Sequence, residues 1–579
     1  MTNDTITLPP YRGNEPVTAE TVGHLMRQTP DGYSFRVPEW VSDLVIAQAN
    51  ISKVTPEGTF AAAHSLLAHL ARSGINGLWI CPIFENRGNA NASSHYGNHG
   101  PQTLADDCFR ARDPAGKQAE LRHFVDAAHR MGIYVFLDVV TYGLLAASPI
   151  YQAYLAGTAW EGLDVSDWFT GEALYSGYAF NWRSAGLRRW FTDRMTDLIR
   201  LYDFDGFRVD SEPHYLWYTD DAGVRRYADI FPKVRLRVAG FVRQADGSFR
   251  YPPDARGRQI TVFSEKNNLR DHGYDFEQYG VIHYGNEKIL RFQICFGGHT
   301  DWFRERDLVR DVQTGRLADG AWFEDALGVP PGTPNRFRFY TYCVSNHDYR
   351  STAVNRRLWV LAYQALLAPF LPVWYVGEEC GLLSLTDRWL NGLPLDIPAL
   401  LSDPDGNAFY QSFLQIMRLR RAFPELFAHF AEDVRQANLA RVNVTDGLLG
   451  YARTSPARTA IVLANPTDAP ITGAVSLPRA VSDCDTWVEW MSGSPVYPER
   501  NATVLLFPAI QIPPNSVAVL LSVGEDLGTL SQTLLRHFFQ ERFRRGLGRS
   551  PKVFLTPSSR TGLFSGTGGG SCRFRGGRY

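Results

Sequence analysis

The sequence predicts an α/β protein in which helices alternate with the buried strands of a parallel sheet or barrel. Between about residues 60 and 380, segments with apolar residues at helical spacing alternate with short runs that are almost wholly apolar. Continuous apolar runs are typical of strands covered on both faces. The chain of 579 residues implies about three to five compact units, and its 44% apolar and 21% charged residues are usual for a globular protein.

The first helix and strand show the pattern. Gly74 marks the end of a helix whose apolar residues recur at helical spacing, namely Ala63, Leu66, Leu67 and Leu70. The run 75–83 then predicts a buried strand, and the same alternation predicts strands at 133–140, 204–210, 260–265, 339–346 and 372–377. The uncharged stretch 358–376 is long enough for a membrane span. However, Pro369 and Pro372 would break a helix there, which favours a buried helix followed by a buried strand.

Changes in pattern along the chain predict four regions. They are an N-terminal extension (1–40), a barrel (41–425), a C-terminal β domain (430–523) and a basic amphipathic helix with a flexible Gly-rich tail (524–579). Residues 142–183 interrupt the helix–strand rhythm and predict an inserted subdomain. Its aromatic residues are expected to border the site, although about half of them would pack the subdomain itself: Trp160, Trp168, Phe169, Tyr175, Tyr178 and Trp182.

Charge and cysteine content narrow the function classes. The net charge of -1 argues against a chain that grips nucleic acid or a membrane surface through its overall field, and it favours a neutral substrate. The N-terminus lacks the pattern of a secretory signal, which predicts a cytoplasmic location. Seven scattered cysteines without a C-x-x-C pair favour reduced thiols over disulfides or a zinc site. The basic tail could contact nucleic acid, but a solvated appendage is the favoured interpretation.

Four acidic residues stand where predicted strands end, namely Asp138, Asp210, Glu265 and Asp348. In a parallel β/α barrel the carboxyl ends of all strands meet at one face, so these residues would converge. Convergent carboxylates suit glycosidic cleavage, in which one attacks the anomeric carbon and another donates a proton. Arg208 lies on the same side of its strand as Asp210, and His347 could donate to a sugar hydroxyl. One such acid could simply cap a helix, but four on successive strands argue against that.

The segments that carry these acids resemble the four short signature regions of the α-amylase family of glycoside hydrolases and transglycosidases (glycoside hydrolase family 13). They are LDVV (137–140), DGFRVD (205–210), FSE (263–265) and SNHD (345–348), in that order. Segments 58–83 and 376–381 are similar to the family's first helix with its second strand and to its last strand. The resemblance implies a (β/α)8 TIM barrel with a short inserted subdomain after the third strand and a C-terminal antiparallel β-sandwich domain.

The resemblance also implies roles for individual residues. Asp210 would be the nucleophile, Glu265 the general acid/base and Asp348 the transition-state stabiliser. The residues expected to support them or bind substrate are Asp138, Arg208, His347, His214 and Tyr96. The predicted function is a retaining glycoside hydrolase acting on α-glucosidic linkages of oligo- or polysaccharides through a covalent glycosyl-enzyme intermediate. Transglycosylation or isomerisation of an α-glucan or disaccharide, and a non-catalytic binding role, remain the alternatives.

The sequence departs from the family pattern at two places near the predicted site. Shortly after the first signature region this chain has Tyr142 and Gly143, where the family usually has Asn-His. After the predicted nucleophile, Pro213-His214 replaces the common Lys-His. A phenol is a poor calcium ligand, so neither a metal nor a cofactor is expected. Gly143 lacks the side chain with which the family's histidine would touch the sugar. We therefore expect a pocket that admits a bulkier group or is filled by Trp168 or Trp182. The sequence does not indicate which oligomeric state the protein adopts.

Overall fold

The structure is a computed structural model. It describes residues 6–18, 26–29, 32–35, 38–90, 94–175, 177–210, 216–228, 230–243, 249–250, 257–264, 281–284, 287–290, 294–297, 339–342, 357–367, 370–381, 395–428 and 438–523. Contacts divide the chain into one compact unit, Met1–Leu527, and a second unit, Gly528–Tyr579. The second unit, which contains the predicted helix and tail, lies outside the described residues.

Eight parallel strands form a sheet that curls until its hydrogen-bonded order closes on itself. Each strand pairs with its neighbours in chain order, and the last, β8, pairs with the first, β1. The strands are β1 Ile46–Ala49, β2 Gly77–Ile80, β3 Tyr134–Val140, β4 Gly206–Asp210, β5 Thr261–Ser264, β6 Ile294–Gly297, β7 Phe339–Tyr342 and β8 Phe370–Tyr375. Apolar side chains from β1, β2, β3, β5 and β8 pack into one buried cluster, as continuous apolar runs predict.

The helices alternate with the strands, and several of them begin after a residue whose side chain caps the first turn. Thr59, Asp113 and Ser184 accept hydrogen bonds from backbone N–H groups of the first turns of α1, α2 and α4. The described helices are α1 Phe60–Arg72, α2 Pro114–Arg130, α3 Pro149–Ala156, α4 Ala185–Tyr202, α5 Ile230–Val238, α6 Leu358–Leu366, α7 Ile397–Ser402, α8 Pro404–Ala422 and α9 Pro424–Phe427. The segments after β5 and β6 lie largely outside the described residues, so a complete eightfold βα repeat remains a prediction.

The uncharged stretch 358–376 forms helix α6 followed by strand β8, as its two prolines predict. Every residue of α6 is buried. In the part of the chain that the structure describes, no helix combines the length and apolar character that a membrane span requires.

The segment between β3 and α4 contains a small antiparallel sheet and helix α3, which lies between the first and second strands of that sheet in the sequence. Its three strands are Gly143–Leu144, Phe169–Leu174 and Gly177–Phe180, and the last of these pairs with both others. Only two residues, Thr141 and Tyr142, separate the end of β3 at Val140 from the short strand Gly143–Leu144. The inserted sheet is therefore attached directly to the carboxyl end of β3.

Residues 438–523 form two antiparallel sheets. The six-stranded sheet contains, in spatial order, Leu439–Ala440, Leu449–Thr454, Thr459–Asn465, Ser516–Ser522, Trp487–Glu489 and Ser494–Val496. The four-stranded sheet contains Asn443–Val444, Ile471–Pro478, Val504–Ile512 and Glu499–Arg500. Alternate apolar residues of both sheets meet in a buried core around Trp487 and Phe507.

The remaining short strands pair locally or with the N-terminal segment. Pro16–Val17 pairs with Gly257–Arg258, Trp217–Thr219 with Arg225–Tyr227, and Val242–Arg243 with Phe249–Arg250. The strands Met26–Thr29, Gly32–Phe35, Glu287–Leu290 and Val281–Tyr284 form a further four-stranded sheet. The pairings of Pro16–Val17 and Gly32–Phe35 attach the N-terminal segment to segments that lie next to barrel strands in the sequence.

Candidate active site

The carboxyl ends of β3 and β4 bring three predicted site residues together. The two strands pair in parallel with Arg208 opposite Asp138 and Asp210 opposite Val140. Arg208 and Asp210 are two residues apart and therefore point to the same side of β4. The Asp138 side chain is fully buried, that of Arg208 is 2% exposed and that of Asp210 is 9% exposed. The three charges consequently interact in a site with little access to water.

One guanidinium nitrogen of Arg208 links the two carboxylates. Its Nη1 donates to Oδ1 and Oδ2 of Asp138 at 3.0 and 3.1 Å and to Oδ1 of Asp210 at 2.6 Å. Charge-assisted hydrogen bonds of this length are strong and directional. The positive charge of Arg208 favours the ionised form of Asp210, and the hydrogen bond fixes the direction of its carboxylate.

Asp138 also accepts hydrogen bonds from two aromatic side chains. The hydroxyl of Tyr96 donates to its Oδ2 at 2.5 Å, and the indole N–H of Trp79 donates to the same oxygen at 2.9 Å. Burial, followed by the negative charge of Asp138, raises the pKa of Tyr96 well above its usual value. Tyr96 therefore remains a neutral donor at physiological pH. The Tyr96 hydroxyl orients the Asp138 carboxylate. Tyr96, which was predicted to bind substrate, therefore belongs to this cluster.

Hydrogen bonds of residues that follow β3 hold the site together. Thr141 Oγ1 donates to the backbone carbonyl of Asp210 at 3.0 Å, and the indole N–H of Trp182 donates to the carbonyl of Thr141 at 3.1 Å. The Tyr142 hydroxyl donates to the backbone carbonyl of Tyr96 at 3.0 Å. Trp182 of the inserted segment is therefore linked through Thr141 to the strand end that carries Asp210. We did not predict Thr141 or Trp79 as site residues, because their hydrogen-bond partners are set by the register between strands.

Gly143 serves a different purpose from the one that the sequence predicted. A Cβ atom at this position would collide with the carbonyl oxygen of Tyr178 and lie 2.6 Å from its carbonyl carbon. The space beside Gly143 is thus filled by the backbone of the strand Gly177–Phe180, with which it pairs. The expectation of an open space, or of one filled by Trp168 or Trp182, was wrong. Gly143 is required because two backbones approach closely there.

Two side-chain clusters in the described part of the chain have the residue types of metal sites. They are His69 with Glu379 and Cys380, and His95 with Asp107 and Cys108. In each cluster the histidine Nε2 is already within hydrogen-bond distance of the acid, at 2.7 Å and 2.9 Å. Burial raises the pKa of both thiols, which disfavours the thiolate that a metal would need. Neither cluster contains a predicted site residue, and the absence of a metal or cofactor remains a prediction.

Four predicted site residues lie outside the described residues: His214, Glu265, His347 and Asp348. Glu265 follows the last residue of β5, Ser264, in the sequence. Ser264 pairs with Val209 of β4, the residue before Asp210. The described part of the site therefore consists of Tyr96, Asp138, Arg208 and Asp210 with their supporting residues.

Comparison with curated proteins relates more than half of the chain to enzymes of α-glucan metabolism. The chain is 30% identical over 358 residues to a malto-oligosyltrehalose trehalohydrolase from Deinococcus radiodurans, and 32% identical over 374 residues to one from a Rhizobium species. Both alignments cover 58% of this chain, and they cover 53% and 55% of the relatives. An α-amylase from Haloarcula japonica is 22% identical over 470 residues, which is 78% of this chain and 59% of the relative. The chain thus spans little more than half the length of the curated relatives it matches.

Solved α-amylase structures share the fold. A maltogenic α-amylase from Thermotoga neapolitana has a TM-score of 0.57 at 15% identity, covering 83% of this chain and 99% of that one. The α-amylase of Geobacillus thermoleovorans, solved with acarbose, has a TM-score of 0.56 at 15% identity, with 84% and 100% covered. No protein-family model matches the chain. The sequence relatives nevertheless confirm the resemblance to the α-amylase family of glycoside hydrolases and transglycosidases.

Proposed function

We propose that this protein is a retaining glycoside hydrolase that cleaves α-glucosidic linkages of oligo- or polysaccharides. The observation that carries the proposal is the link from Arg208 to both Asp138 and Asp210, which holds one carboxylate of the site ionised and oriented. A retaining mechanism needs such a carboxylate as its nucleophile. The names of the sequence relatives point to the same class of substrate.

In the proposed mechanism, Asp210 attacks the anomeric carbon while Glu265 donates its proton to the leaving oxygen. The glycosyl-enzyme bond then forms and the glucosidic bond breaks. Glu265, now ionised, removes a proton from water, which attacks the anomeric carbon and releases Asp210. The pairing of Val209 with Ser264 supports this assignment, since Asp210 and Glu265 directly follow these two residues in the sequence.

The other predicted residues complete the proposed site. Asp348 and His347 would bind hydroxyls of the distorted sugar ring, and His214 would contact the group on the leaving side. Tyr96 and Asp138 would shape the pocket beneath the sugar. We further propose that the fold is the complete (β/α)8 barrel with the four predicted regions, including the C-terminal β-sandwich domain, and that the protein acts in the cytoplasm.

Malto-oligosyltrehalose is the first substrate to test, because two of the relatives described above are named for its hydrolysis. Maltooligosaccharides, maltose, sucrose and trehalose complete the panel. A transglycosidase would use the same covalent intermediate and pass the sugar to another saccharide instead of water. Chromatography of the products separates the two reactions, since only transglycosylation yields products longer than the substrate.

The decisive experiment combines product stereochemistry with two isosteric variants. We expect Asp210→Asn and Glu265→Gln each to reduce kcat by about 10⁴-fold or more with an unchanged melting temperature, because nucleophile and acid act as a unit. NMR spectroscopy of the first product should show the α-anomer. A β-anomeric first product, or either variant with nearly full activity on the substrate that the wild type cleaves, would refute the proposal.

A further inference from the structure

The structure separates the aromatic residues of the inserted subdomain into two groups. Trp168, Phe169 and Trp182 are buried, and the ring of Tyr178 stacks on Tyr151 with centroids 4.2 Å apart. These residues pack the subdomain or support the site. Tyr175 differs from them, because it is 73% exposed at the turn between the strands Phe169–Leu174 and Gly177–Phe180.

The backbone of Tyr175 adopts an unfavourable conformation. Its φ angle is 51°, in the left-handed region that residues with a Cβ atom rarely occupy. Glycine or asparagine would fit this position with less strain. Burial of the aromatic ring does not compensate for the strain, since most of the ring faces solvent. The pairing of Leu174 with Gly177 makes this a two-residue hairpin turn, which requires a positive φ, and a tyrosine nevertheless occupies the position.

A chain of contacts connects Tyr175 with the candidate active site. Its ring packs edge-on against Tyr142, with centroids 5.1 Å apart and an interplanar angle of 66°. The hydroxyl of Tyr142 is bonded to the backbone of Tyr96, whose own hydroxyl is bonded to Asp138. The exposed ring of Tyr175 is therefore connected through Tyr142 and Tyr96 to the carboxylate of Asp138.

We propose that Tyr175 is a stacking platform for a glucosyl unit of an α-glucan chain at the outer end of the substrate cleft. This inference rests on the proposed function. An aromatic ring offers a flat, apolar face with a polar hydroxyl at one end, which complements a sugar ring with an apolar face of C–H groups and a polar rim. Binding a unit remote from the cleaved bond selects for longer chains and holds the substrate in register.

Three variants of Tyr175 and one matched control test the platform. Tyr175→Ala removes the ring, Tyr175→Asn removes it but retains a residue that tolerates the left-handed backbone, and Tyr175→Phe keeps the ring. Tyr497→Ala is the control, because Tyr497 is 68% exposed and lies beside an edge strand of the C-terminal sheets. The Kd of maltoheptaose and of maltotriose is measured by calorimetry, with all variants in an Asp210→Asn background that prevents turnover.

We expect the Ala and Asn variants to bind maltoheptaose about tenfold more weakly, the upper end of what aromatic stacking contributes. The affinity for maltotriose should change less than twofold. The Phe variant and the Tyr497 control should bind maltoheptaose as the parent does, and the melting temperature of the Asn variant should match or exceed that of the parent. Unchanged binding by the Ala and Asn variants would overturn the proposal, and so would a weaker affinity accompanied by a lower melting temperature in both.

The outcomes also separate this proposal from the proposed function. If the wild type cleaves α-glucans and the Tyr175 variants bind normally, only the platform is refuted. If the wild type cleaves none of the panel but binds maltoheptaose in a Tyr175-dependent manner, the platform stands and the hydrolase assignment falls. If maltoheptaose does not bind the parent protein at all, the platform is refuted, and the hydrolase assignment falls with it only if the wild type also cleaves none of the panel.

Discussion

At the scale of single residues, Asp138 is the centre of the described site. Its carboxylate is fully buried, and a buried charge is tolerated only when charges and donors around it replace water. Arg208 supplies the opposite charge, while Trp79 and Tyr96 supply two neutral donors. Asp210 takes the fourth position in the network through Arg208. The bond from Arg208 fixes the direction of the Asp210 carboxylate.

The Thr141 hydroxyl gives a test of positioning. In Thr141→Val the hydrogen bond to the carbonyl of Asp210 is lost, and we expect kcat to fall about tenfold with little change in KM, because the nucleophile is displaced. The free energy of unfolding should fall by about 1 kcal/mol. Thr141→Ser restores the donor and should restore kcat. Steady-state kinetics and urea unfolding of both variants check this; a Val variant with wild-type kcat would contradict it.

The sequence predicted the charged residues of the described cluster and Tyr96, but not Trp79 or Thr141. Asp138, Arg208 and Asp210 could be predicted because strand periodicity and the position at a strand end both point to the same face. Trp79 and Thr141 could not, since a buried tryptophan and a threonine after a strand are ordinary core residues until the partner atom is known. Residues whose role depends on the register of neighbouring strands leave no local signal in the sequence.

At the scale of secondary-structure elements, the six predicted barrel strands were found, and two barrel strands, β1 and β6, were missed. Strand β1 contains Gln48, whose polar side chain is fully buried and directed at the sulphur of Cys81. A polar residue in a four-residue strand interrupts the apolar run on which the prediction depends. Strand β6 is equally short and ends at Gly297. Both strands are specified by pairing with their neighbours in the ring rather than by their own sequences.

The attachment of the inserted sheet depends on Gly143. In Gly143→Ala the new methyl group would force apart two paired backbones, and we expect a loss of about 3 kcal/mol in unfolding free energy. The matched control is Gly157→Ala at the end of α3, where nothing lies within 4 Å and only the left-handed φ of 64° is unfavourable; it should cost about 1 kcal/mol. Chemical denaturation measures both. Equal effects of the two substitutions would show that the close approach has no energetic consequence.

At the scale of the whole molecule, side chains from the barrel helices and the C-terminal sheets form a buried junction. The rings of Tyr363 in α6 and Tyr451 in the strand Leu449–Thr454 meet with centroids 5.1 Å apart. Their hydroxyls have no hydrogen-bond partner among the described residues. Burial raises the pKa of both tyrosines above the usual value of about 10.

This junction predicts a loss of stability at alkaline pH. Above about pH 10 the unfolded chain releases the phenolic protons while the folded protein retains them, so the free energy of unfolding falls as the pH rises. Each tyrosine contributes a slope of up to about 1.4 kcal/mol per pH unit. Tyr363→Phe with Tyr451→Phe should reduce the slope between pH 10 and 11.5 and leave stability at pH 7 equal or higher, since a buried unpaired hydroxyl is removed. The exposed Tyr497→Phe is the control; an unchanged slope in the double variant would contradict the prediction.

The same junction predicts which truncations the protein tolerates. Arg453 donates to the carbonyl of Leu426 at 2.8 Å, and the indole N–H of Trp490 donates to the carbonyl of Gln415 at 3.0 Å. Removing all residues after Ala428 would break these bonds and expose apolar surface of α6, which is buried along its whole length. We expect this truncation to give no soluble folded barrel.

Deletion after Val523 retains both sheets and removes only the predicted basic amphipathic helix and Gly-rich tail, so it should keep the melting temperature and the activity of the full chain. Calorimetry and the product assay compare the two truncations with the full chain, and a cooperatively folded fragment 1–428 would show that the barrel is stable without the C-terminal sheets.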